Sequence, residues 1–507
     1  MYSIIEELRG KIVHIYYDGF GKKHFKKVPF TPIIGFETEK NSKWKTYDGK
    51  SIRLKELESF EQYYNYQYHE SEMMNIYGMI NPKYQFISEN YKEDIKPKLQ
   101  FIKSAIIDIE VYSEDGFPDP EFAMWPITSI TVKDNKTGKF YVAATKPYNK
   151  VKNVHGIDPS RINFRRFEME EDLMNWLIKV FNFIKPDILC GWYSNNFDFP
   201  YIINRYDYLF EDENVKKGLS PIGGRVSSNK LKNGRDFRNT IAGITLFDYL
   251  ELYKKYIFTP RASYKLDFIA DVELGDQKLD YSEYDNLNEL WIHNPQKYID
   301  YNVYDVELID LLDKKLGLIN LACTVAYKAK CNFVDVMGVI RVWDVLFYNY
   351  LKKYNIVIPP KRDHEHVEYP GAYVKEPVPA IYDWVVSYDL NSLYPHLQQQ
   401  FNISPETLIK GECLKVNQDE VDERFFNKDL VGSTEHILSA NGYYFRKDME
   451  GFVPRILREI YSERSTIKDE MLRKKQIFED VKNELKQMLR KKQIFEDVKN
   501  ELKQRNV

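Results

Sequence analysis

Four carboxylates and one tyrosine stand where they could do chemistry. Asp108 and Glu110 lie near the end of a short apolar run, Ser104 to Ser113, SAIIDIEVYS. In a strand, side chains two apart share a face, so these acids would project together while Ile107, Ile109 and Val111 pack on the other side. Asp198 follows a second apolar run, DILCGWYS, across the polar pair Asn195-Asn196, and is expected at a strand end, a common place for catalytic side chains in open α/β sheets. Tyr301 and Asp305 are four apart in QKYIDYNVYDVELIDLLDKKLGL, where a helix is expected from about Gln296 to Leu316, so they share one face. Hydrolysing a phosphodiester requires a nucleophilic water and stabilisation of charge on the leaving oxygen. Two hard divalent ions held by carboxylates ~3.5 to 4 Å apart supply both, and four carboxylates suit two such ions. Taken singly, each acid is equally an ordinary surface charge or helix cap, and Tyr301 an ordinary core tyrosine.

The surrounding chain has the elements such a site needs. Residues 11 to 36 read as a hairpin: KIVHIYY, a turn at Asp18-Gly19-Phe20-Gly21, and a basic return strand. From Phe101 the pattern becomes an α/β layer, with strands at Ile127 to Val132 and Phe140 to Ala144. A helix at Glu170 to Ile184 carries Leu173, Trp176, Leu177, Val180, Phe181 and Ile184 at helical spacing. Residues 216 to 238 hold Lys216, Lys217, Arg225, Lys230, Lys232, Arg235 and Arg238 against the single acid Asp236. Asn233-Gly234 signals a two-residue turn, so this stretch is either a basic β-hairpin or a solvated charged loop. More helix follows from Asn320 to about Tyr354, closed by Pro359-Pro360. Beyond it come an apolar strand WVVSYDL ending at Asp389, a short β-like stretch around Gly442 to Phe445, and a helical tail. That tail repeats itself: MLRKKQIFEDVKNELKQ occupies 471 to 487 and again 488 to 504. Seventeen residues advance a helix by ~4.7 turns, so the second apolar stripe is turned by roughly 100° from the first. We read the copies as a tandem duplication rather than a coiled coil or a solenoid.

Composition bounds the class. At 507 residues and 43% hydrophobic content the chain is a multidomain globular protein with substantial cores. Cys190, Cys323, Cys331 and Cys413 lack the spacing of a zinc knuckle or a disulfide framework, which fits a reducing cytoplasm. Glu6, Glu7 and Arg9 interrupt the place where a signal peptide would need apolar residues, and no run reaches the ~20 apolar residues of a membrane span. A formal charge of −3 gives no global case for nucleic acid, so the case must rest on local positive surface.

At this point the residues resemble a family. SAIIDIE, GWYSNNFDFPYIINR and YIDYNVYDVELID are similar to the three exonuclease motifs of family B DNA polymerases, in the same order. LYKKYIFTPRASYKLDFIADVEL, YPGAYVKEP and SYDLNSLYP with NISPETL bring the resemblance closer to the replicative polymerases of T-even-type bacteriophages, over about residues 11 to 470. The resemblance implies an α/β multidomain chain. A mixed β/α domain spans 1–102, with 318–360 returning to it, and an RNase-H-like 3′-to-5′ exonuclease domain spans 103–317. A partial polymerase palm spans 361–446, and truncated helical fingers with the duplicated tail span 447–507. It also implies that Asp108, Glu110, Asp198 and Asp305 hold two Mg2+ ions, with Mn2+ as a substitute, and that Tyr301 orients the attacking water. Arg225, Lys230, Lys232 and Arg235 would belong to a hairpin that helps part a mismatched primer end from its template, through phosphate contact rather than base readout.

In the polymerase half, Asp389, Leu390 and Tyr394 match the palm motif D-x-x-S-L-Y-P. The resemblance gives Asp389 a metal-binding side chain, Leu390 a metal-binding carbonyl and Tyr394 a place under the sugar; without it, Asp389 reads as a strand-end cap. Tyr369, Gly371 and Ala372 match a DNA-contacting linker, and Arg464 and Lys468 match triphosphate contacts in the fingers, though alone they are solvated charges. His396 replaces the usual serine after the proline, and neither K-x-x-x-N-S-x-Y-G nor Y-x-D-T-D-S follows. The expected partners are primer-template DNA, single-stranded DNA, a deoxynucleoside triphosphate and a C-terminal polymerase polypeptide. A sliding clamp would be reached only through the missing part, no membrane is expected, and the place of action is the infected host's cytoplasm. Two other readings stay open: a stand-alone metal-dependent single-strand exonuclease, and a non-catalytic nucleic-acid-binding fragment.

Overall fold

Alternation in SAIIDIEV makes the strand that the sequence announces. The computed structural model describes residues 1–70, 74–114, 116–360, 374–390, 392–413, 423, 426–427, 435–439 and 442–504. The chain divides into two compact units, Met1–Asp363 and His364–Val507.

The first unit opens with an antiparallel sheet of β1 (Tyr2–Leu8), β2 (Lys11–Tyr17) and β3 (Lys23–Val28). The expected hairpin is its second half, with Tyr17 opposite Lys23 and the Asp18 carboxylate accepting from the backbone of Phe20 and Lys22. A second small sheet pairs β4 (Ile33–Glu37) and β5 (Trp44–Lys45) with β6 (Ser51–Glu56).

The central sheet contains β7 (Ser104–Val111), β8 (Ile127–Asp134), β9 (Lys139–Ala144), β10 (Ile162–Arg166), β11 (Ile188–Gly191) and, after the hairpin, β14 (Thr245–Asp248), in the order β10-β9-β8-β7-β11-β14. β8 runs antiparallel to its neighbours β7 and β9, while β10, β11 and β14 join by parallel pairing. This is the mixed α/β architecture expected of the exonuclease domain.

Period two in β7 decides what each face touches. Ala105, Ile107 and Ile109 enter one core with Leu173, Leu177 and Val180 of the helix Glu170–Ile184. Ile106 enters another with Tyr298, Ile299, Val303 and Val306 of the long helix Pro295–Leu316, so Asp108 and Glu110 look toward that helix. Pro295 opens it at a position where proline loses no hydrogen bond, the Asn294 side chain caps it, and Gly317 ends it at φ +66°. The second core also takes in Tyr2, Ile5 and Ile12 of the N-terminal sheet and Leu318, Ala322 and Phe333 of the helical return.

Two local expectations are corrected. The helix after β11 is Asp198–Leu209, so Asp198 is its first residue rather than the end of a strand. The basic hairpin forms, with β12 (Val226–Lys230) against β13 (Phe237–Ile241), but its turn is the longer loop 231–236. The reason is local: Asn233 accepts from the backbone of Arg235 and Asp236 and donates to the Asp236 carboxylate, closing a wider turn than a bare Asn-Gly pair would.

In the second unit β15 (Leu408–Cys413), β16 (His436–Leu438) and β17 (Tyr443–Arg446) form a sheet in the order β15-β17-β16, beside helices Leu393–Gln400 and Phe452–Gln504. The duplicated segments lie within that one long helix. The apolar segment ending at Asp389, expected as a strand, makes no ladder: residues 374–390 are irregular and exposed, with Ile381 100% and Trp384 93% accessible. A strand exists only by pairing, and no segment among the described residues pairs with this one.

Candidate active site

Three elements bring the acids together. β7 carries Asp108 and Glu110 on one face, and the helix Pro295–Leu316 presents Tyr301 and Asp305 to that face. Ligand oxygens of Asp108, Glu110 and Asp305 all lie within 4.8 Å of one another. Asp198 arrives from the other side of β7. The ladder between β7 and β11 runs only as far as Ile106 and Cys190, so the Ile109 amide is left without a strand partner there. Asp198 Oδ1 accepts from that amide at 3.1 Å, which locks the start of its helix onto the acid-bearing strand.

Two residues that the sequence reading passed over complete the geometry. Asn302 is fully buried; its Oδ1 accepts from the Ser129 and Thr131 hydroxyls at 3.0 and 2.6 Å, so its Nδ2 points outward and donates to Asp108 Oδ2 at 2.7 Å. Lys278 reaches in from the loop after Gly275, donating to the Tyr301 hydroxyl at 2.9 Å and forming an ion pair with Asp305 Oδ2. Asn302 was within reach of sequence reasoning, since it lies three residues before Asp305 on the same helix. Lys278 sits in GDQKLDYSEYDN, which has no periodicity to say where a side chain points.

The electrostatics follow from crowding. Burial, then the charges of Asp198, Glu110 and Asp305, drive the Asp108 carboxyl well above the carboxylate range. Burial and the Asp305 charge push Glu110 up to about 8, and burial pushes Asp198 up to about 7 against the pull of the Ile109 amide. Asp305 is raised by burial despite Lys278. Burial opposes the Lys278 charge, yet attraction to Asp305, Tyr301 and Asp108 overcomes it and raises that amine well above its usual value. One lysine cannot balance four acids, and the buried Asp305 Oδ1 has no hydrogen-bond partner. An all-oxygen donor set with an orphaned, inward carboxylate oxygen fits a hard divalent cation.

The hairpin adjoins this centre. Asn196, two residues before Asp198, donates to Asp236 and accepts from the Phe237 amide, while Asn239 donates to the Asn195 carbonyl. Lys230 pairs with Glu121 at 2.5 Å and Arg225 donates to Ser227, whereas Lys232 and Arg235 are exposed. Phe117 is 78% exposed and its ring lies 5.1 Å from that of Phe197, next to Asp198.

The residues expected in the polymerase half are not gathered in this way. Asp389, Leu390 and Tyr394 are exposed, as are Arg464 and Lys468 on the long helix. His396 sets its ring 4.8 Å from Tyr461 and bonds the Ser392 carbonyl at 3.0 Å. Tyr369, Gly371 and Ala372 lie outside the described residues.

A mixed sheet that gathers Asp108, Glu110 and Asp305, with the charge of Asp198 acting on Asp108, beside a basic hairpin defines the class: a protein with an oxygen-donor centre suited to hard metal ions. Comparison with known proteins gives the family. Residues 55–269 match the DNA polymerase family B exonuclease domain, and residues 336–494 match DNA polymerase family B. The chain belongs to the family B DNA polymerases. It is 32% identical over 502 residues to the DNA-directed DNA polymerase of Enterobacteria phage T4, covering 95% of this chain and 55% of that protein. To the DNA-directed DNA polymerase of Escherichia phage RB69 it is 33% identical over 510 residues, covering 96% of this chain and 55% of the relative. DNA polymerase 1 of Pyrococcus abyssi is 25% identical over 388 residues, covering 72% of this chain and 43% of the relative. The chain thus spans about half the length of the curated relatives it matches. Lys278, Tyr301, Asn302 and Asp305 fall between the two family matches.

Proposed function

We propose that this chain removes nucleotides from the 3′ end of single-stranded DNA in a metal-dependent reaction, as the proofreading part of a family B DNA polymerase. The observation that carries the reading is the convergence of Asp108, Glu110 and Asp305 within 4.8 Å, with Asp198 close enough for its charge to raise Asp108. Asp108, Glu110, Asp198 and Asp305 would hold Mg2+, or Mn2+ in its place. When bound, the ions supply the charge that activates a water and stabilises the leaving oxygen. Tyr301 accepts from Lys278, which leaves its own O–H free to hold that water. Lys278 fixes the tyrosine hydroxyl and the Asp305 carboxylate in one geometry. Asn302 does the same for Asp108. Phe117, exposed beside Phe197, offers a face on which a terminal base can stack, and the charges of Arg225, Lys232 and Arg235 suit the phosphates behind it.

Asp389, Leu390, Tyr394, Arg464 and Lys468 are proposed to belong to a polymerase site whose remaining residues lie in the part of the relatives this chain does not span. Tyr369, Gly371 and Ala372 are proposed DNA contacts. The exposed apolar segment 374–390 favours this reading, because a β-branched and aromatic stretch left in water calls for a pairing strand. Primer extension from a deoxynucleoside triphosphate is then expected only with a C-terminal polypeptide present. That polypeptide would also carry any sliding-clamp contact. By the same reading the chain divides into four parts, with boundaries at 102, 317, 360 and 446. No helix among the described residues is long and apolar enough to cross a membrane, and the host-cell cytoplasm is the proposed place of action.

The deciding experiment compares the chain with Asp108→Ala on a 3′-ended oligonucleotide in Mg2+. We expect stepwise shortening from the 3′ end, abolished by chelation and reduced on the order of 1000-fold by the substitution. Wild-type chain that binds the oligonucleotide but never shortens it, across metals and pH, would overturn the reading in favour of a non-catalytic nucleic-acid-binding fragment.

A further inference from the structure

The long helix Phe452–Gln504 segregates its charges. At ~100° per residue, Arg464, Lys468, Lys475, Lys482 and Lys486 fall within about 40° of one another. All five are exposed. They run along ~33 Å of helix axis, separated by steps of four and seven residues, or ~6 and ~10.5 Å. The acids of the same turns, Glu463, Asp469, Glu470, Asp480 and Glu484, lie ~100° or more around the helix. Glu479 alone borders the row, 3.6 Å from Lys482. A second ion pair of this stretch, Glu470 with Lys474, is on a different face. An ordinary solvated helix interleaves the two signs at i to i+4 spacing; this one keeps a continuous face for an anion.

We propose that this row binds the sugar-phosphate backbone of single-stranded nucleic acid. Arg464 and Lys468 are residues we have read as triphosphate contacts, and the row continues their edge for about five further turns into the first copy of the duplicated segment. The inference does not depend on the exonuclease chemistry, which lies in the other unit. A linear set of separated cations suits a flexible single strand, which can adjust its phosphates to the row, better than a rigid duplex groove. The duplication does not extend the row: Lys492, Lys499 and Lys503, the counterparts of Lys475, Lys482 and Lys486, are turned by roughly 100° from it.

The test uses the intact chain and a labelled oligothymidylate, with binding followed by fluorescence anisotropy over a salt series in chelator. Combining K475Q, K482Q and K486Q keeps good helix formers, and circular dichroism checks the helix. The slope of log affinity against log salt is expected to flatten by about 2, three contacts at ~0.7 each. A control of equal charge loss off the row, combining K447Q, R473Q and K474Q, is expected to leave the slope near wild type. An unchanged slope in the first variant, or an equal loss in both, would overturn the proposal. So would vesicles containing phosphatidylserine if they lost binding in the first variant while the oligonucleotide slope stayed the same, since the face would then serve a lipid surface. Hydrolysis is scored separately in Mg2+. Its absence alongside row-dependent binding counts against the nuclease reading and leaves this one standing.

Discussion

Glu110 places a carboxyl group 8% exposed among Asp108, Asp198 and Asp305, and its pKa rises from an ordinary 4.5 to about 8. The consequence for stability has a definite sign. With the folded pKa above the unfolded one, the folded chain binds more protons across this window, so unfolding becomes easier as pH rises. The protonated form's stabilising contribution is complete below about pH 4.5 and is lost by the time pH passes about 8. Asp198, raised to about 7, works in the same direction. We therefore expect the melting temperature of the chelator-treated chain to fall between pH 5 and pH 8.5 through these groups, and Glu110→Gln to flatten that fall. Mg2+ should restore stability most at the alkaline end, where the cluster is most negative. Thermal melts of both proteins across that range, with and without metal, check it; a Glu110→Gln curve parallel to wild type would contradict it.

Elements hold this cluster in place, and one buried ion pair ties two of them. Arg205, on the helix that Asp198 begins, donates through Nε and Nη2 to the Glu170 carboxylate at 2.8 and 2.5 Å and through Nη1 to the carbonyls of Ala123 and Met124. Glu170 also accepts from the Ile127 amide at the start of β8. Arg205 is 4% exposed, so Arg205→Met leaves Glu170 desolvated without a counter-charge, at a cost of about 3–5 kcal/mol. Urea denaturation should show that loss, and the pair Arg205→Met with Glu170→Met should recover most of it. At this scale the sequence was legible where a period could be read. Strand β7 with its two acids, the amphipathic helix Glu170–Ile184 and the helix bearing Tyr301 and Asp305 all appear where spacing put them. What spacing does not encode was missed: the start of a helix fixed by a stray β7 amide, a loop widened by Asn233, and the direction of Lys278. The strand expected before Asp389 failed for a related reason, since β-propensity describes one partner of a ladder and says nothing of the other.

At the scale of the molecule, the N-terminal sheet and the central sheet share a core. Tyr2, Ile5 and Ile12 pack in the same buried cluster as Ile106, Phe140 and Val142, joined by Leu318, Ala322, Phe333 and Val345 from the helical return. Polar contacts cross the same boundary. Asp187, wholly buried at the foot of β11, accepts from Tyr17 at 2.6 Å and from the Lys103 amide, and pairs with Lys23 at 2.7 Å. The five hydrophobic clusters of the described residues are all built from residues before 359. A chain ending at residue 360 should therefore unfold cooperatively and keep metal-dependent shortening of an oligonucleotide. Residues 103–317 alone should not, although they contain every acid of the site: their buried core would lose Tyr2, Ile5, Leu318 and Ala322, which now pack in the same cluster, and Asp187 would be left without Tyr17 and Lys23. The cost of emptying one large buried position is about 2–5 kcal/mol, and several are emptied at once, which exceeds the ~5–15 kcal/mol that stabilises an ordinary domain. Denaturant titrations of the two pieces decide between them. If 103–317 folded and cut as well as 1–360, the shared core would be a matter of proximity, and the exonuclease site would need nothing beyond its own sheet.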